Sequence, residues 1–296
     1  MIEYHADDYG LFKTQSRHIM ECYHSGALNG ISIMPNSPYL RECMEEIQGI
    51  REKLFVTVHL NFVEGKPLTG KKCTRLTDKN GNFGVGFGKY LLIGFVPVLR
   101  KLYYRELYRE IEAQLHACEK YMNEGKFRID GHVHFHMLPL VFDALMEVIK
   151  NDHLEVSYIR FPKEELEIYR KAKGVRDIKP INIIKVLVLN ALCRRNIRKY
   201  NETLRDLGLE EKLFMGVMLS GHMFYDNLKA LIPIAADIMP DRGLSDMEIL
   251  FHPGDVTESE DAAKLTSRDD IDFLCTNASN RAKEAEALKR FGKETI

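Results

Sequence analysis

The fold of this chain is decided by its first ten residues, in which the apolar run Ile2-Glu3-Tyr4-His5-Ala6 leads directly into the turn Asp7-Asp8-Tyr9-Gly10. The run has the length and composition of a β-strand, and a helical pattern follows it at 13–25. Six further apolar runs recur along the chain, most of them followed by a helical pattern, at 31–34, 54–60, 129–135, 156–161, 214–219 and 247–251. This alternation predicts an α/β protein with a parallel sheet.

Polar side chains at the ends of these runs distinguish a barrel from an open sheet. Asn36, His59, Arg160 and His252 each lie at or just after the end of a run, as the two aspartates of the first turn do. Reactive side chains at the carboxyl ends of most strands are typical of (β/α) barrels, whereas an open dinucleotide-binding sheet usually begins with a glycine-rich turn. We therefore predict a single domain, over 1–296, that forms a distorted (β/α) barrel of about seven strands.

Two segments are longer than a minimal barrel requires. Residues 61–97 are predicted to form a long loop that is either an active-site lid or a surface or subunit contact. The apolar stretch 91–99 at the end of this loop is a candidate for a homodimer contact. Residues 164–211 are predicted to form a helical insertion with an apolar interior and a charged, solvated surface.

The composition excludes several classes of protein. Lys and Arg number 42 against 43 Asp and Glu, so the net charge of −1 provides no field that would attract nucleic acid or an acidic membrane. The longest apolar stretch, 181–192, is interrupted by polar residues and too short to span a bilayer, and residues 1–10 lack the pattern of a secretory signal. The six cysteines are scattered, so we expect a cytoplasmic protein without a structural zinc knot.

The segment Asp130-Gly131-His132-Val133-His134-Phe135-His136 carries the densest cluster of candidate ligands. On a β-strand, residues two apart share a face, so the three histidines are predicted to point the same way. A lone histidine in a strand is usually a core residue, but three imidazoles buried together without partners would be costly. The cluster therefore predicts a metal or catalytic site, in which one or two histidines bind a metal and the others orient ligands or contact substrate.

The neighbours Asp7 and Asp8 form a second candidate group, because adjacent carboxylates at a strand end repel each other unless a cation or a basic partner balances them. The alternative is that Asp8 caps the helix predicted at 13–25. His252, which precedes a Pro-Gly turn, suits a general acid that titrates near neutral pH. Arg160 is interpreted as a group that fixes a substrate oxygen or a catalytic carboxylate, with a structural ion pair as the alternative.

Four motifs occur in order along the chain: His5-Ala6-Asp7-Asp8-Tyr9-Gly10, Val58-His59-Leu60-Asn61, Asp130-Gly131-His132-Val133-His134-Phe135-His136-Met137-Leu138-Pro139 and Phe251-His252-Pro253-Gly254. In this series, and in Asn36 of Met34-Pro35-Asn36, the chain resembles the YdjC-like carbohydrate deacetylase family, whose best-known members are chitooligosaccharide deacetylases. Tyr9 stands where the family usually has Phe. The resemblance implies a distorted (β/α) barrel related to the polysaccharide deacetylases.

The resemblance also implies the roles of individual residues. A divalent metal ion, Mg²⁺ or Zn²⁺, would be held by Asp8, His59 and His132. Asp7 would be the general base and His252 the general acid. Four further residues are expected to contact the substrate: Arg160, Asn36, His134 and His136.

The expected reaction is metal-dependent hydrolysis of the N-acetyl group of a small N-acetylated sugar or chitooligosaccharide, which gives acetate and an amino sugar. A metal ion would polarise the amide carbonyl and lower the pKa of its bound water. One alternative is a metal-dependent phosphoesterase, which needs a second metal ion bound by His134 and His136. The other is a barrel that binds sugar or metal without catalysis.

Overall fold

The computed structural model describes residues 1–209, 211–257 and 259–294 and contains one seven-stranded sheet. Its strands, in chain order, are β1 Ile2–Tyr9, β2 Gly30–Ile33, β3 Phe55–Leu60, β4 Phe127–Gly131, β5 Val156–Ile159, β6 Leu213–Met215 and β7 Met247–Phe251. Neighbouring strands all pair in parallel, in the spatial order β5-β4-β3-β2-β1-β7-β6. The prediction of a parallel α/β fold with about seven strands is therefore confirmed.

The sheet curls into a half-barrel, and β5 and β6 are the two edges of its strand order. β1 lies between β2 and β7, near the middle of the sheet. Because all strands run in the same direction, their carboxyl ends meet along one rim of the half-barrel. This topology brings the first turn, the end of β3, the end of β4 and the end of β7 to the same rim.

Helices connect the strands and cover the outside of the sheet. The helices are α1 Lys13–Ser25, α2 Leu40–Glu46, α3 Phe87–Phe95, α4 Pro97–Cys118, α5 Pro139–Asn151, α6 Leu166–Lys171, α7 Pro180–Lys199, α8 Asn201–Asp206, α9 Tyr225–Ile238, α10 Ser259–Ala262, α11 Arg268–Asp270 and α12 Ala278–Glu294. The strands contribute buried β-branched side chains, as expected for a parallel sheet; examples are Ile31, Val56 and Ile129.

One prediction about β4 is wrong. The strand ends at Gly131, and His132–Met137 form a tight 3₁₀-like turn in place of the strand predicted up to residue 135. Val133 and His134 have φ angles of +50° and +57°, in the left-handed region that side chains disfavour. A Cβ atom on Gly131 would lie 2.9 Å from His136 Nδ1, so the chain turns back closely on itself here. The three histidines therefore do not share one face of a strand.

Part of the long loop at 61–97 is anchored to α4. The Gln114 side chain accepts a hydrogen bond from the backbone N–H of Asn61 and donates one to its carbonyl oxygen. The carboxylate of Glu110 accepts hydrogen bonds from the backbone N–H groups of Leu68 and Thr69. The beginning of the loop is therefore held by buried side chains of α4, whereas its apolar end forms the corner between α3 and α4.

The insertion at 164–211 is helical, as predicted, and folds as the three helices α6, α7 and α8. Its first residue, Glu164, is buried and accepts hydrogen bonds from the backbone N–H groups of Gly216 and Val217, which follow β6. Asn190 of α7 exchanges two hydrogen bonds with the backbone of Glu164. The insertion thus supports the segment after β6. In the three described ranges, no helix is both long and apolar enough to cross a membrane.

Candidate active site

The two aspartates of the first turn are brought to the rim of the half-barrel by an irregularity at the end of β1. The register between β1 and β2 shifts between Ala6 and Tyr9, and Asp8 has a φ angle of +68°. Because the backbone turns at Asp8, its side chain is not sent to the face opposite Asp7, and both carboxylates are buried at the site. The residue before α1 is Phe12, and it makes no side-chain cap, so Asp8 does not cap this helix.

Asp8, His59 and His132 form a cluster with the composition of a metal site. Asp8 Oδ1 lies 3.4 Å from His59 Nε2 and 2.9 Å from His132 Nδ1, and one ligand atom from each residue lies within 4.8 Å of the others. Despite these distances, Asp8 Oδ1 is buried without a hydrogen-bond partner among the described residues. One carboxylate oxygen and two imidazole nitrogens that converge in this way form a ligand set typical of a divalent transition ion. The three residues therefore fit a divalent metal ion.

The charges around the cluster favour a cation. Burial opposes a charge on His59, but the carboxylates of Asp130 and Asp7 outweigh it and raise the pKa of His59 to about 9. Burial likewise opposes a charge on His132, while Asp270 and Asp8 raise its pKa well above the usual value. Surroundings that favour a proton on an imidazole also favour a metal ion in place of that proton.

Arg160 lies beneath the site and is fully buried. Its Nη1 contacts both carboxylate oxygens of Asp7, at 3.0 and 2.9 Å, and Asp130 Oδ2 at 2.6 Å. Its Nε and Nη2 contact Glu248 Oε1 at 2.7 and 2.5 Å, and Tyr158 also donates a hydrogen bond to Glu248. Of the interpretations offered by the sequence, these contacts favour a guanidinium that fixes the carboxylate of Asp7, because no sugar can reach a fully buried side chain.

His134 and His136 lie apart from the three clustered ligands. His136 is fully buried and donates a hydrogen bond from Nε2 to the carbonyl oxygen of Arg160 at 2.8 Å. Burial lowers the pKa of His136 to about 4 and that of His134 well below its usual value, so both imidazoles are neutral at pH 7. The His134 ring is half-buried and packs edge-on against Phe214, with 5.9 Å between centroids. None of the candidate metal-ligand groups among the described residues includes either histidine.

His252 follows β7 at the same rim. Its backbone N–H donates a hydrogen bond to Glu284 Oε2 at 2.6 Å, and its ring packs edge-on against Phe273 with 4.8 Å between centroids. The imidazole is half-buried. Burial lowers the pKa of His252 to about 3; the negative charge of Asp8 opposes this shift, and the positive charge of Arg281 adds to it. His252 is therefore held as a neutral imidazole next to a cluster that attracts cations.

Asn36 takes part in the loop that follows β3. Its side-chain nitrogen donates hydrogen bonds to the carbonyl oxygens of Glu64 and Lys66, and its oxygen accepts one from Asn61. The amide is half-buried. In this structure Asn36 therefore organises the loop next to His59, and a sugar would compete with these bonds.

Sequence reasoning missed the polar network that supports the site from within the half-barrel. His5 contacts Glu3 Oε1 at 2.8 Å and Ser32 Oγ at 2.7 Å, and Ser32 donates to Asp130 Oδ2 at 2.5 Å. Asp130 Oδ1 in turn lies 2.6 Å from His59 Nδ1. The signal was present, because Glu3, His5 and Asp7 alternate along β1 and thus share a face. Glu248 similarly interrupts the apolar run of β7.

Comparison with known proteins agrees with the motifs. A family model described as YdjC-like protein matches residues 2–290. A carbohydrate deacetylase from Thermoanaerobacter pseudethanolicus is 31% identical over 162 residues, which cover 54% of this chain and 61% of the relative. For a carbohydrate deacetylase from Danio rerio the identity is 27%, covering 54% of this chain and 49% of the relative. A chitooligosaccharide deacetylase from Yersinia pestis (strain Pestoides F) is 28% identical, over 55% of this chain and 59% of the relative.

The aligned part of the chain thus spans about half to three-fifths of the length of these relatives. A crystal structure from Enterococcus faecalis V583, of a protein named for cellobiose-phosphate cleavage, has a similar fold. Its TM-score is 0.63 at 18% identity, and the similarity covers 100% of this chain and 93% of that one. Because the family model covers nearly the whole sequence, including all of the clustered ligands, this chain belongs to the YdjC-like family.

Proposed function

We propose that this protein is a metal-dependent carbohydrate deacetylase, which hydrolyses the N-acetyl group of a small N-acetylated sugar or chitooligosaccharide to acetate and an amino sugar. The observation that carries the proposal is the cluster of Asp8, His59 and His132 directly beside an arginine-bound Asp7. The names of the family relatives, carbohydrate deacetylase and chitooligosaccharide deacetylase, support the same reaction class.

Asp8, His59 and His132 would hold the metal ion. When bound, it would act as a Lewis acid toward the acetyl carbonyl and would lower the pKa of a bound water. One carboxylate and two imidazoles form a ligand set that suits zinc or another transition ion, while Mg²⁺ usually takes oxygen ligands. We therefore favour Zn²⁺ over Mg²⁺ as the first ion to test.

Asp7 would be the general base. Its Oδ2 lies 3.8 Å from His59 Nε2, which places it next to the ligands without making it one of the three. Burial raises the pKa of Asp7, whereas the guanidinium of Arg160 opposes this shift and holds both carboxylate oxygens. A carboxylate with a raised pKa and a fixed orientation is suited to accept a proton from the attacking water.

His252 would be the general acid. The oxygen of water would bond to the acetyl carbon while its proton passes to Asp7; the C–N bond would then break, the acetyl group would leave as acetate, and the departing nitrogen would take a proton from His252. Because burial lowers the pKa of His252, its imidazole is neutral at pH 7 in the free protein, and it must take up a proton during the reaction before it can act as the acid; the negative charge of Asp8 favours this uptake. As negative charge develops on the acetyl oxygen in the transition state, it stabilises the positively charged imidazolium of His252.

The rival functions have less support. A two-metal phosphoesterase would need His134 and His136 as ligands, and these histidines lie outside every candidate ligand group of the described residues. Two other groups of possible ligands, Glu3-His5-Glu248 and His5-Asp7-Asp130, are already paired with the guanidinium of Arg160. A non-catalytic sugar-binding barrel would not require the base and the acid.

We also propose a cytoplasmic location and a homodimer, each as a separate point. The six cysteines are free thiols, which suits a reducing compartment.

The dimer contact would be the corner between α3 and α4, where Leu92, Phe95 and Val98 are 60%, 66% and 71% exposed. Size-exclusion chromatography with light scattering, on the wild type and on Phe95→Ser, tests this contact: a Phe95→Ser variant that elutes and scatters like a wild-type dimer contradicts it.

The test of the function combines metal content with product analysis. Purified protein is analysed for bound metal and is then incubated with N-acetylglucosamine, chitobiose and longer chitooligosaccharides, with free acetate and amine as the readout. We expect one metal ion per chain, acetate release from at least one sugar, and loss of both in His132→Ala but not in His24→Ala, an exposed-histidine control. Two metal ions with phosphate release from phosphomonoesters would favour the phosphoesterase, and a metal-loaded protein without any product would favour the binding protein.

A further inference from the structure

A carboxylate from the C-terminal part of the chain reaches the candidate metal centre. Asp270, at the end of α11, is only 4% exposed although it lies outside the sheet. Its Oδ1 is 2.9 Å from Nε2 of His132. Its other oxygen, Oδ2, is buried without a hydrogen-bond partner among the described residues. The site thus includes a residue that none of the sequence motifs contains.

The contact determines which nitrogen of His132 can bind a metal ion. A carboxylate oxygen lies 2.9 Å from each ring nitrogen of His132, so when Asp8 and Nδ1 both bind the metal ion, the proton of the neutral imidazole is held at Nε2 by Asp270. The lone pair is then left at Nδ1, which is the atom that lies 2.9 Å from Asp8 Oδ1. Without Asp270, the imidazole could carry its proton on either nitrogen or rotate about its side-chain bonds.

The other histidine of the cluster has the opposite arrangement. His59 Nδ1 lies 2.6 Å from Asp130 Oδ1, so its proton is held at Nδ1 and its Nε2 faces Asp8. Each imidazole therefore has a carboxylate on the nitrogen that points away from the cluster. Asp130 comes from the neighbouring strand β4, whereas Asp270 comes from a segment about 140 residues further along the chain.

The segment that carries Asp270 is itself held in place. The carboxylate of Glu64 accepts hydrogen bonds from the backbone N–H groups of Thr266 and Ser267, each at 2.9 Å, and from the Thr266 hydroxyl. Ser267 Oγ accepts a hydrogen bond from the backbone N–H of Asp270 at 3.3 Å. Glu64 lies in the loop directly after His59, so one loop next to the site fixes the position of the segment that orients His132.

We propose that Asp270 is a positioning residue for His132, and that the segment 266–270 is therefore a required part of the metal centre. The inference rests on the proposed metal site and deepens it. Asp270 does not touch the metal ion or the sugar; it acts by holding the proton of His132 at Nε2. The expected consequence is a loss of metal affinity rather than a defect confined to catalysis.

The test measures metal binding to the apoprotein. Asp270→Ala should raise the dissociation constant for Zn²⁺ by about 10–100-fold, the range known for partners of ligand histidines. The constant is measured by competition with a chromophoric chelator. Asp270→Asn should lose less affinity, because its amide oxygen still accepts the hydrogen bond but carries no charge. Asp269→Ala is the matched control, since the neighbouring carboxylate is exposed, and it should bind as the wild type does.

A second readout separates positioning from a purely structural role. The visible absorption spectrum of Co²⁺ bound in place of Zn²⁺ should change in Asp270→Ala, because the orientation of one imidazole changes, and should be unchanged in Asp269→Ala. Circular dichroism and thermal unfolding in EDTA check that the variants fold. Metal affinity within threefold of wild type in a folded Asp270→Ala, or an equal loss in both alanine variants, would overturn the proposal. A wild type that binds metal but releases no acetate would contradict the deacetylase and leave the role of Asp270 intact.

Discussion

Arg160 provides the sharpest test of how the site is supported, because its guanidinium is fully buried among three carboxylates. Nη1, Nη2 and Nε together make five contacts of 2.5–3.0 Å with Asp7, Asp130 and Glu248. Arg160→Met has a similar length but no charge, so it leaves all three carboxylates without this cation. Removing one partner of a buried ion pair costs about 3–5 kcal/mol, and we expect the upper end of that range here because three anions lose the same partner.

The stability of the wild type and that of Arg160→Met should depend on pH differently. In the wild type, Arg160 and His59 overcome burial and lower the pKa of Asp130 below its usual value. The stability that Asp130 contributes is therefore fully present above the unfolded-state pKa of about 4. It is lost as the pH falls from there toward the lower pKa of the folded state. In Arg160→Met the buried carboxylates should instead take up protons more readily than in the unfolded chain. The variant should then become more stable between pH 7 and pH 5, while the wild type does not.

The assay is urea unfolding followed by far-ultraviolet circular dichroism, since the chain has no tryptophan. It is performed in EDTA at pH 7 and pH 5, so that metal binding does not contribute. Arg160→Lys should fall between the wild type and Arg160→Met, because one ammonium cannot contact all three carboxylates. A loss of less than 1 kcal/mol in Arg160→Met at pH 7, or parallel pH profiles for the variant and the wild type, would refute this account of the network.

Three further predictions concern the rim of the half-barrel. Asp8→Asn should lose metal affinity and recover part of its activity in excess metal. Asp7→Asn should retain its metal but lose on the order of 10²–10⁴-fold in turnover, which excess metal does not restore. Metal content and turnover are measured for both variants, and the opposite pattern would show that Asp7 is the ligand and Asp8 the base. His136 has a pKa lowered from 6.5 to about 4 by burial, so the unfolded chain takes up this proton first and the native state loses about 3 kcal/mol as the pH falls from 6.5 to 4. His136→Gln, whose amide can still donate to the carbonyl of Arg160, should remove that part of the acid sensitivity in urea titrations, and the exposed His24→Gln should not; equal slopes would contradict it. Gly131→Ala should destabilise the protein by about 1–3 kcal/mol through its contact with His136, and an unchanged thermal midpoint would show that the turn can adapt.

The sequence by itself determined the architecture and the location of the site. The seven runs predict the seven strands, because parallel strands are buried on both faces and are rich in apolar residues even where a polar side chain interrupts them. Asp7, His59 and His252 lie at or just after the ends of three of these runs, and parallel strands bring their carboxyl ends to one rim. Local periodicity and chain direction were therefore sufficient to place these residues together. The motifs that resemble the YdjC-like family lie at the same strand ends.

The internal geometry of the site was decided only by tertiary structure. The turn at His132–Met137 depends on close packing of Gly131 against His136, which no strand periodicity reports. Whether Arg160 meets a substrate or a carboxylate depends on the side chains that the curled sheet places around it, including Glu248 from a strand 88 residues away. Asp270 reaches His132 across 138 residues of chain. Sequence patterns specify the face and end of an element to which a residue belongs, but partners so far apart in the chain are selected only when the sheet curls and its loops pack.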